Sequence, residues 1–172
     1  MNDMDEKRRK TAVSVAEWMD AAVFAVVVCV IIFSLFMKVF TVNGSSMEPT
    51  YVEGDRVFTL LCRFTVKSGD VIVTDVNNGL GEPLIKRVIA TEYQKVEIDP
   101  ETGELRVDGK VVDTPIATTT ANLKGDITYP FYVPAGYVFA VGDNREWSLD
   151  CRYQQCGLID NRSIVGVVVY VS

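Results

Sequence analysis

Residues Ala21–Met37 read AAVFAVVVCVIIFSLFM, an uninterrupted run of seventeen uncharged, mostly apolar side chains between Asp20 and Lys38. A helix that spans a hydrocarbon core of about 30 Å needs about 20 such residues, and about 17 is the lower end of the range. The flanking residues 18–19 and 39–40 can extend the run into the interfaces, where Trp is favoured. A buried core helix is the alternative, but no amphipathic pattern interrupts the run, which favours a membrane span.

A cleaved secretory signal is a second alternative for this run. Against it, Lys38-Val39-Phe40-Thr41 is too bulky to be the small-residue cleavage site of a secretory signal. The cluster Lys7-Arg8-Arg9-Lys10 precedes the run, and positive charge of this kind stays in the cytoplasm. We therefore expect a single-pass protein of the cell (plasma) membrane, with a cytoplasmic segment 1–17, a transmembrane signal-anchor 18–40 and an extracytoplasmic domain 41–172.

The charge balance and the cysteines limit what the exported part can bind. Residues 1–38 contain five basic and five acidic side chains and the remaining 134 contain twelve and eighteen, so the net charge of −6 lies on the exported part and argues against nucleic acid. Cys29 lies in the apolar run and Cys62 stands alone, whereas Cys151 and Cys156 flank a four-residue loop and are either a disulfide or two free thiols. With no histidine and no Cys-x-x-Cys pair, no metal site is expected.

After the anchor, the sequence changes to short segments rich in Val, Ile, Tyr, Phe and Thr that alternate with turn residues, which is typical of a mainly β domain. Asp108-Gly109 lies between two alternating segments and predicts a hairpin. The segment Ser148–Gln154 could form a short helical turn. We predict nine strands, at Phe40–Val42, Arg56–Leu60, Val71–Asp75, Leu84–Thr91, Lys95–Asp99, Glu104–Val107, Lys110–Val112, Tyr137–Val141 and Ile164–Val171.

The segment Gly44-Ser45-Ser46-Met47-Glu48-Pro49-Thr50 follows the apolar run and presents two hydroxyls in a turn. Gly44 permits backbone conformations closed to other residues, and Pro49 holds the preceding residue extended. On composition alone Ser45 and Ser46 are equally plausible nucleophiles, and an ordinary polar turn is the simpler explanation. Because the chain lacks histidine, an activated serine needs another base, and lysine is the usual substitute once its charge is suppressed.

Lys86 fits that requirement because its strand is otherwise almost entirely apolar. Alternation places Leu84, Lys86 and Val88 on one face and Ile85, Arg87 and Ile89 on the other. An edge-strand lysine that prevents aggregation is the alternative. If the face is covered, desolvation lowers the pKa of the lysine from about 10.4 towards neutrality, and the neutral amine can accept a serine proton.

A third cluster, Gly142-Asp143-Asn144-Arg145-Glu146-Trp147-Ser148-Leu149-Asp150-Cys151-Arg152, follows a predicted strand. If the charged side chains fix this loop, Ser148 can hydrogen-bond Lys86 and orient it. A solvated charged turn is the alternative. The charged side chains that can pair within the loop and fix it are Asp143, Arg145, Asp150 and Arg152.

Together these blocks resemble type I signal peptidases, the membrane-bound serine proteases that remove secretory signal peptides. Their order and spacing match that family from the anchor to about Gly166. The matching blocks are Ser46-Met47-Glu48-Pro49-Thr50, Gly54-Asp55-Arg56-Val57, Gly69-Asp70-Val71-Ile72-Val73 with Lys86-Arg87-Val88, Val133-Pro134-Ala135-Gly136-Tyr137-Val138-Phe139, and Gly142-Asp143-Asn144-Arg145 with Ser148-Leu149-Asp150-Cys151-Arg152.

The resemblance implies a signal-peptidase-like β-rich catalytic domain that needs no cofactor and cleaves exported preproteins after small-x-small sites. It implies Ser46 rather than Ser45 as nucleophile, Lys86 as general base and Ser148 as the hydroxyl that steers the lysine. The amide of Ser46 would form part of the oxyanion hole. The other implied roles are substrate binding by Val42, Met47 and Ile85, and structural charges at Asp143, Arg145, Asp150 and Arg152.

The chain departs from the family pattern at three places. Gly44 stands where many relatives carry a serine that completes the oxyanion hole, so the second oxyanion donor is open. Cys151 replaces a serine, and Thr91-Glu92-Tyr93-Gln94 replaces a glycine-containing turn.

The expected partners are signal peptides of secreted preproteins and the lipid bilayer. The enzyme is expected to be monomeric.

Three other functions are compatible with parts of the sequence. A processing peptidase dedicated to one secretion or conjugation system would carry the same residues. A catalytically inactive signal-peptide-binding module would not need Ser46 and Lys86. Self-cleaving SOS-type repressors share serine-lysine chemistry, but they are soluble and carry a DNA-binding head that this sequence lacks.

Overall fold

The structure is a computed structural model of the 172-residue chain. It describes residues 2–61, 66–99, 101–112 and 125–172, with side chains from residue 15 onward. The chain forms two compact units, Met1–Met37 and Lys38–Ser172.

The first unit is one helix, α1, which runs from Asn2 to Phe36. Its part Val15–Phe36 has 22 residues with a mean hydropathy of 2.7, long and apolar enough to cross a membrane. At 1.5 Å per residue this part is about 33 Å long, close to the hydrocarbon thickness of a bilayer. The helix ends at Phe36, so residues 37–40, which we expected at the outer end of the span, belong to the first strand instead.

The second unit is mainly β, as predicted, and the eleven strands found among its described residues form two sheets. A seven-stranded sheet has the order β1-β2-β11-β3-β4-β9-β10, and a four-stranded sheet has the order β7-β6-β5-β8. The strands are β1 Met37–Thr41, β2 Arg56–Leu60, β3 Val71–Thr74, β4 Ile85–Ala90, β5 Lys95–Ile98, β6 Leu105–Val107, β7 Lys110–Val111, β8 Phe131–Tyr132, β9 Tyr137–Val141, β10 Ile159–Asp160 and β11 Ile164–Val171.

Each of the nine predicted strands overlaps an observed one. The hairpin at Asp108-Gly109 joins β6 to β7, and both residues have positive φ, 52° and 76°, as a type I′ turn requires. The sequence did not indicate β8, β10 or the 3₁₀ turn Asn161–Ser163. At Ser148–Gln154, where we expected at most a short helical turn, the structure has turns and bends but no helix.

Strand β4 lies inside the seven-stranded sheet and carries the polar residues Lys86 and Arg87. It pairs antiparallel with β3 through Val71↔Arg87, Ile72↔Lys86 and Val73↔Ile85, and with β9 only from Arg87↔Val141 onward. Val88 and Ile89 lie in the main apolar core with Phe139. The half-buried Ile85 instead packs against a second, smaller core of Val42, Val57 and Val73. The first residue of β4, Ile85, therefore packs in a different apolar cluster from Val88 and Ile89 further along the strand.

Candidate active site

Ser46 and Lys86, forty residues apart in the sequence, meet in the structure. Lys86 Nζ lies 2.9 Å from Ser46 Oγ and donates a hydrogen bond to it in this geometry. Lys86 is only 4% exposed, and it takes part in none of the ion pairs found among the described residues. The prediction that a covered strand face carries a buried lysine is therefore confirmed by its position.

Burial sets the protonation behaviour of Lys86. Desolvation lowers its pKa from the ordinary value, and the carboxylate of Asp150 is the largest of the opposing influences that raise it. A smaller opposing influence comes from Glu82. The net direction is downward, so the neutral amine is accessible at a lower pH than in a free lysine. A neutral amine has a lone pair that can accept the hydroxyl proton of Ser46 over the same distance.

The loop that carries Ser46 presents unused backbone donors. Gly44 has φ +80°, a left-handed conformation that favours glycine. Within the described part of the chain, the amides of residues 44–47 donate no hydrogen bond, while the Ser46 carbonyl accepts one from Asn144 at 3.0 Å. Met47 is 1% exposed and ties the loop into the domain interior. The loop thus holds a hydroxyl beside several free N–H groups.

Asp143 holds the serine loop and the lysine strand together. Its buried carboxylate accepts hydrogen bonds from Arg87 Nε at 2.8 Å, Arg87 Nη2 at 2.6 Å and Thr50 Oγ1 at 2.5 Å. The prediction that Asp143 pairs within its own loop is wrong, because its ion-pair partner is Arg87 of β4. Sequence reasoning missed the roles of Arg87 and Thr50. The available signal was that Arg87 follows Lys86 directly on a strand whose other members are apolar.

Asp150 and Arg152 form the internal pair that we predicted for the loop. Arg152 is fully buried, with Nε 2.8 Å from Asp150 Oδ1, and its Nη2 donates to the carbonyls of Arg145 and Ser148. Asp150 Oδ2 also accepts from the amide of Gly142 at 2.9 Å. Arg145 Nε donates to the carbonyl of Gly142 at 3.2 Å. The loop is therefore fixed by a buried charge pair and its backbone contacts.

Ser148 is buried near Ser46 but does not bond to Lys86. Its Oγ has no hydrogen-bond partner among the described residues. The expected Ser148–Lys86 hydrogen bond is therefore not formed in this structure, where Lys86 Nζ bonds to Ser46 Oγ. Ser148 instead packs against Gly142, where a Cβ would overlap both Ser148 Oγ and the Ser46 carbonyl oxygen. Only glycine allows this close approach.

Ser46 and Lys86 open into a groove of about 730 Å³. The three residues expected to bind substrate, Val42, Met47 and Ile85, all line it. Val42 and Met47 are almost fully buried and form part of its floor. The remaining lining comes from residues 39–41, 43–45, 80 and 82–84, together with Val73, Trp147 and Leu149.

Cys151 and Cys156 are buried free thiols, so of the two alternatives the structure contains the reduced form. Burial raises the pKa of Cys151 well above its ordinary value. Cys29 is also a free thiol, and Cys62 lies outside the described residues. No group of metal-binding side chains occurs among the described residues.

Comparison with known proteins gives one consistent result. Residues 15–172 match the family described as signal peptidase, peptidase S26. The chain is 31% identical to signal peptidase I of Bacillus licheniformis over 97% of this chain and 93% of that protein. It is 33% identical to signal peptidase IB of Staphylococcus aureus (strain COL) over 91% and 88% of the two chains. A crystal structure of a signal peptidase I from Enterococcus faecalis V583 aligns with a TM-score of 0.46 at 23% identity, covering 62% of this chain and 98% of that one.

Proposed function

This chain belongs to the signal peptidase family, peptidase S26, a family of serine endopeptidases, and from that premise we propose that it removes signal peptides from exported preproteins with a Ser46–Lys86 dyad. The observation that carries the proposal is the 2.9 Å contact between Ser46 Oγ and the buried Lys86 Nζ. A weak nucleophile needs an adjacent base, and a desolvated lysine supplies one without histidine.

In the proposed reaction, neutral Lys86 accepts the proton of Ser46 as Oγ attacks the scissile carbonyl carbon. The protonated Lys86 then donates a proton to the leaving amine, and water hydrolyses the acyl-serine ester. The amide of Ser46 is one donor to the oxyanion, and the neighbouring free amides of residues 44–47 support a second backbone donor in place of the missing side-chain hydroxyl at Gly44.

The open backbone of β4 supports binding of an extended substrate. Because β9 pairs with β4 only from Arg87 onward, the backbone of Ile85 on that side is not covered by β9. An extended peptide can therefore add as a strand beside residues 83–85. The buried Val42 and Met47 leave shallow apolar space below it, which suits small side chains at positions −1 and −3 of the cleavage site.

We further propose that α1 anchors the enzyme in the cell membrane as a single span, with the N-terminus in the cytoplasm and the β unit outside. The apolar part Val15–Phe36 and the basic cluster at residues 7–10 support this topology. The lipid bilayer and the signal peptides of secreted preproteins would be its partners. The enzyme is expected to act as a monomer without a cofactor.

The alternatives differ in what they require of the dyad. An inactive signal-peptide-binding module does not need a buried amine beside a hydroxyl, so the Ser46–Lys86 contact favours an enzyme. A peptidase dedicated to one secretion or conjugation system would have the same dyad. A panel of unrelated preproteins separates that enzyme from a general one.

The decisive experiment expresses the full chain in membranes with a test preprotein and follows its processing. Ser46→Ala and Lys86→Met should each lower processing by at least about 1,000-fold, because each removes one member of a unit that acts together. Ser45→Ala is the matched control, since it removes a neighbouring hydroxyl from the same loop, and it should keep most of the activity. An equal loss at Ser45 and Ser46 would contradict the assignment of the nucleophile.

A further inference from the structure

Two large apolar side chains, Trp147 and Leu149, are exposed at the rim of the groove that contains Ser46 and Lys86. Trp147 is 74% exposed and Leu149 is 39% exposed, and both line that groove. Ser148 between them is buried. In this segment the hydroxyl of Ser148 is therefore buried, while the apolar side chains of Trp147 and Leu149 on either side are exposed.

This segment is held in place although its apolar side chains are uncovered. The amide of Trp147 donates to the carbonyl of Asn144 at 3.2 Å, and the carbonyl of Ser148 accepts from the buried Arg152 at 3.2 Å. A fixed backbone limits the positions open to the aromatic side chain, which lowers the entropic cost of binding a ligand there. Because Trp147 packs little within the free protein, a molecule bound in the groove is what would cover it.

The direction of substrate side chains decides which part of that molecule meets the rim. In an extended peptide, successive side chains point to opposite faces. On the proposed function, the side chains at −1 and −3 point to the buried floor formed by Val42 and Met47. The side chain at −2 then points the other way, out of the floor and towards the rim.

We propose that Trp147 and Leu149 form a binding surface for the side chain at −2 of the preprotein and favour a large apolar or aromatic residue there. This inference rests on the proposed function and makes it more specific. The middle residue of the small-x-small site is then selected by this enzyme rather than ignored. The surface is continuous with the dyad, since both line the same groove.

The expected preference is moderate because the rim stays partly open to water. A methylene group in an enclosed apolar pocket changes kcat/KM by about 10- to 200-fold, and an open rim belongs at the lower end. We expect cleavage after Ala-Phe-Ala or Ala-Leu-Ala to exceed cleavage after Ala-Ser-Ala by about 10-fold in kcat/KM. The difference should lie mainly in KM, since the −2 side chain does not touch the reacting carbonyl.

The test uses the full-length enzyme in detergent micelles and soluble peptides that differ only at −2, with Phe, Leu, Ser or Asp there. Trp147→Ala should lower kcat/KM more for the Phe and Leu peptides than for the Ser peptide and so remove most of the preference. Trp147→Phe should restore the preference. Tyr132→Ala is the matched control, since Tyr132 is an aromatic residue, 67% exposed, on β8 of the four-stranded sheet. It should leave both rate and preference unchanged.

Three outcomes would overturn the proposal, and each is distinct from failure of the proposed function. Equal kcat/KM values for all four peptides with the wild type would mean that the enzyme does not select the side chain at −2. A preference that survives Trp147→Ala with the fold intact by circular dichroism would mean that other residues read it. A loss in Trp147→Ala that is equal for every peptide and appears only in lipid vesicles would assign Trp147 to the bilayer. No cleavage of any peptide by wild type would instead refute the proposed function.

Discussion

The ion pair between Arg87 and Asp143 allows a quantitative test of what holds the site together. Replacing Arg87 by Met keeps much of the side-chain volume but removes the guanidinium that donates to Asp143 at 2.6 and 2.8 Å. It also removes the hydrogen bond from Arg87 Nη1 to the Gly69 carbonyl. The carboxylate would keep the bond from Thr50 but lose its counter-charge.

The size of the effect follows from burial. The side chains of Arg87 and Asp143 are 12% and 0% exposed. Removing one partner of a buried pair leaves an uncompensated charge and costs about 3–5 kcal/mol. The chain contains a matched control in Arg162 and Asp160, which have the same 2.6 Å contact but are 89% and 23% exposed. Arg162→Met should therefore cost only about 0–1 kcal/mol.

The assay is urea unfolding of the full chain in detergent, followed by far-ultraviolet circular dichroism. With a slope of about 2 kcal/mol per M, Arg87→Met should lower the midpoint by about 1.5–2.5 M and Arg162→Met by less than about 0.5 M. The double variant Arg87→Met/Asp143→Asn should be more stable than Arg87→Met alone, because the buried charge is then gone. Similar losses for Arg87→Met and Arg162→Met, or no recovery in the double variant, would refute this reasoning.

The remaining predictions concern the protonation of Lys86 and the close packing at Gly142. Because burial lowers the pKa of Lys86, processing should rise with pH as the amine deprotonates, and the rise should occur below the ordinary lysine range near 10.5. Since Glu82 raises that pKa, Glu82→Gln should move the rise to lower pH, and a pH–rate profile that is flat for the wild type contradicts the role of Lys86. The unfolded chain binds the Lys86 proton more tightly than the folded chain does. The free energy of unfolding should therefore increase with pH between the lowered pKa of Lys86 in the folded chain and its ordinary value near 10.5. Gly142→Ala should abolish processing because its Cβ would overlap Ser148 and Ser46. At Gly109 a Cβ meets nothing and the φ of +76° strains only the β6–β7 hairpin, so Gly109→Ala should leave processing intact in the same assay.

Much of the site could be predicted because the relevant signals are local. The apolar neighbours of Lys86 indicate a covered strand, and the structure buries that lysine. The turn chemistry of Asp108-Gly109 likewise fixes a hairpin within a few residues. In each case, the residues that determine the outcome lie next to one another in the chain.

The missed features depend on residues distant in sequence. Asp143 accepts hydrogen bonds from Arg87 and Thr50, which are 56 and 93 residues away in the sequence. No local sequence pattern predicts such contacts. Strands β8 and β10 have two residues each, too few to show an alternation of polar and apolar side chains. The expected Ser148–Lys86 bond also depends on how closely the loop approaches at Gly142, which the sequence does not encode locally.

The spacing of the dyad along the chain has a consequence for biosynthesis. Ser46 precedes β2 and Lys86 lies on β4, while the loop that contacts the Ser46 carbonyl comes from residues near 143–152. On the proposed function and topology, a nascent chain that is still crossing the membrane exposes its hydroxyl and its amine far apart, with the lysine hydrated and charged. We therefore expect proteolytic activity to arise only once most of the β unit has been exported, so that the emerging chain does not digest itself or its neighbours.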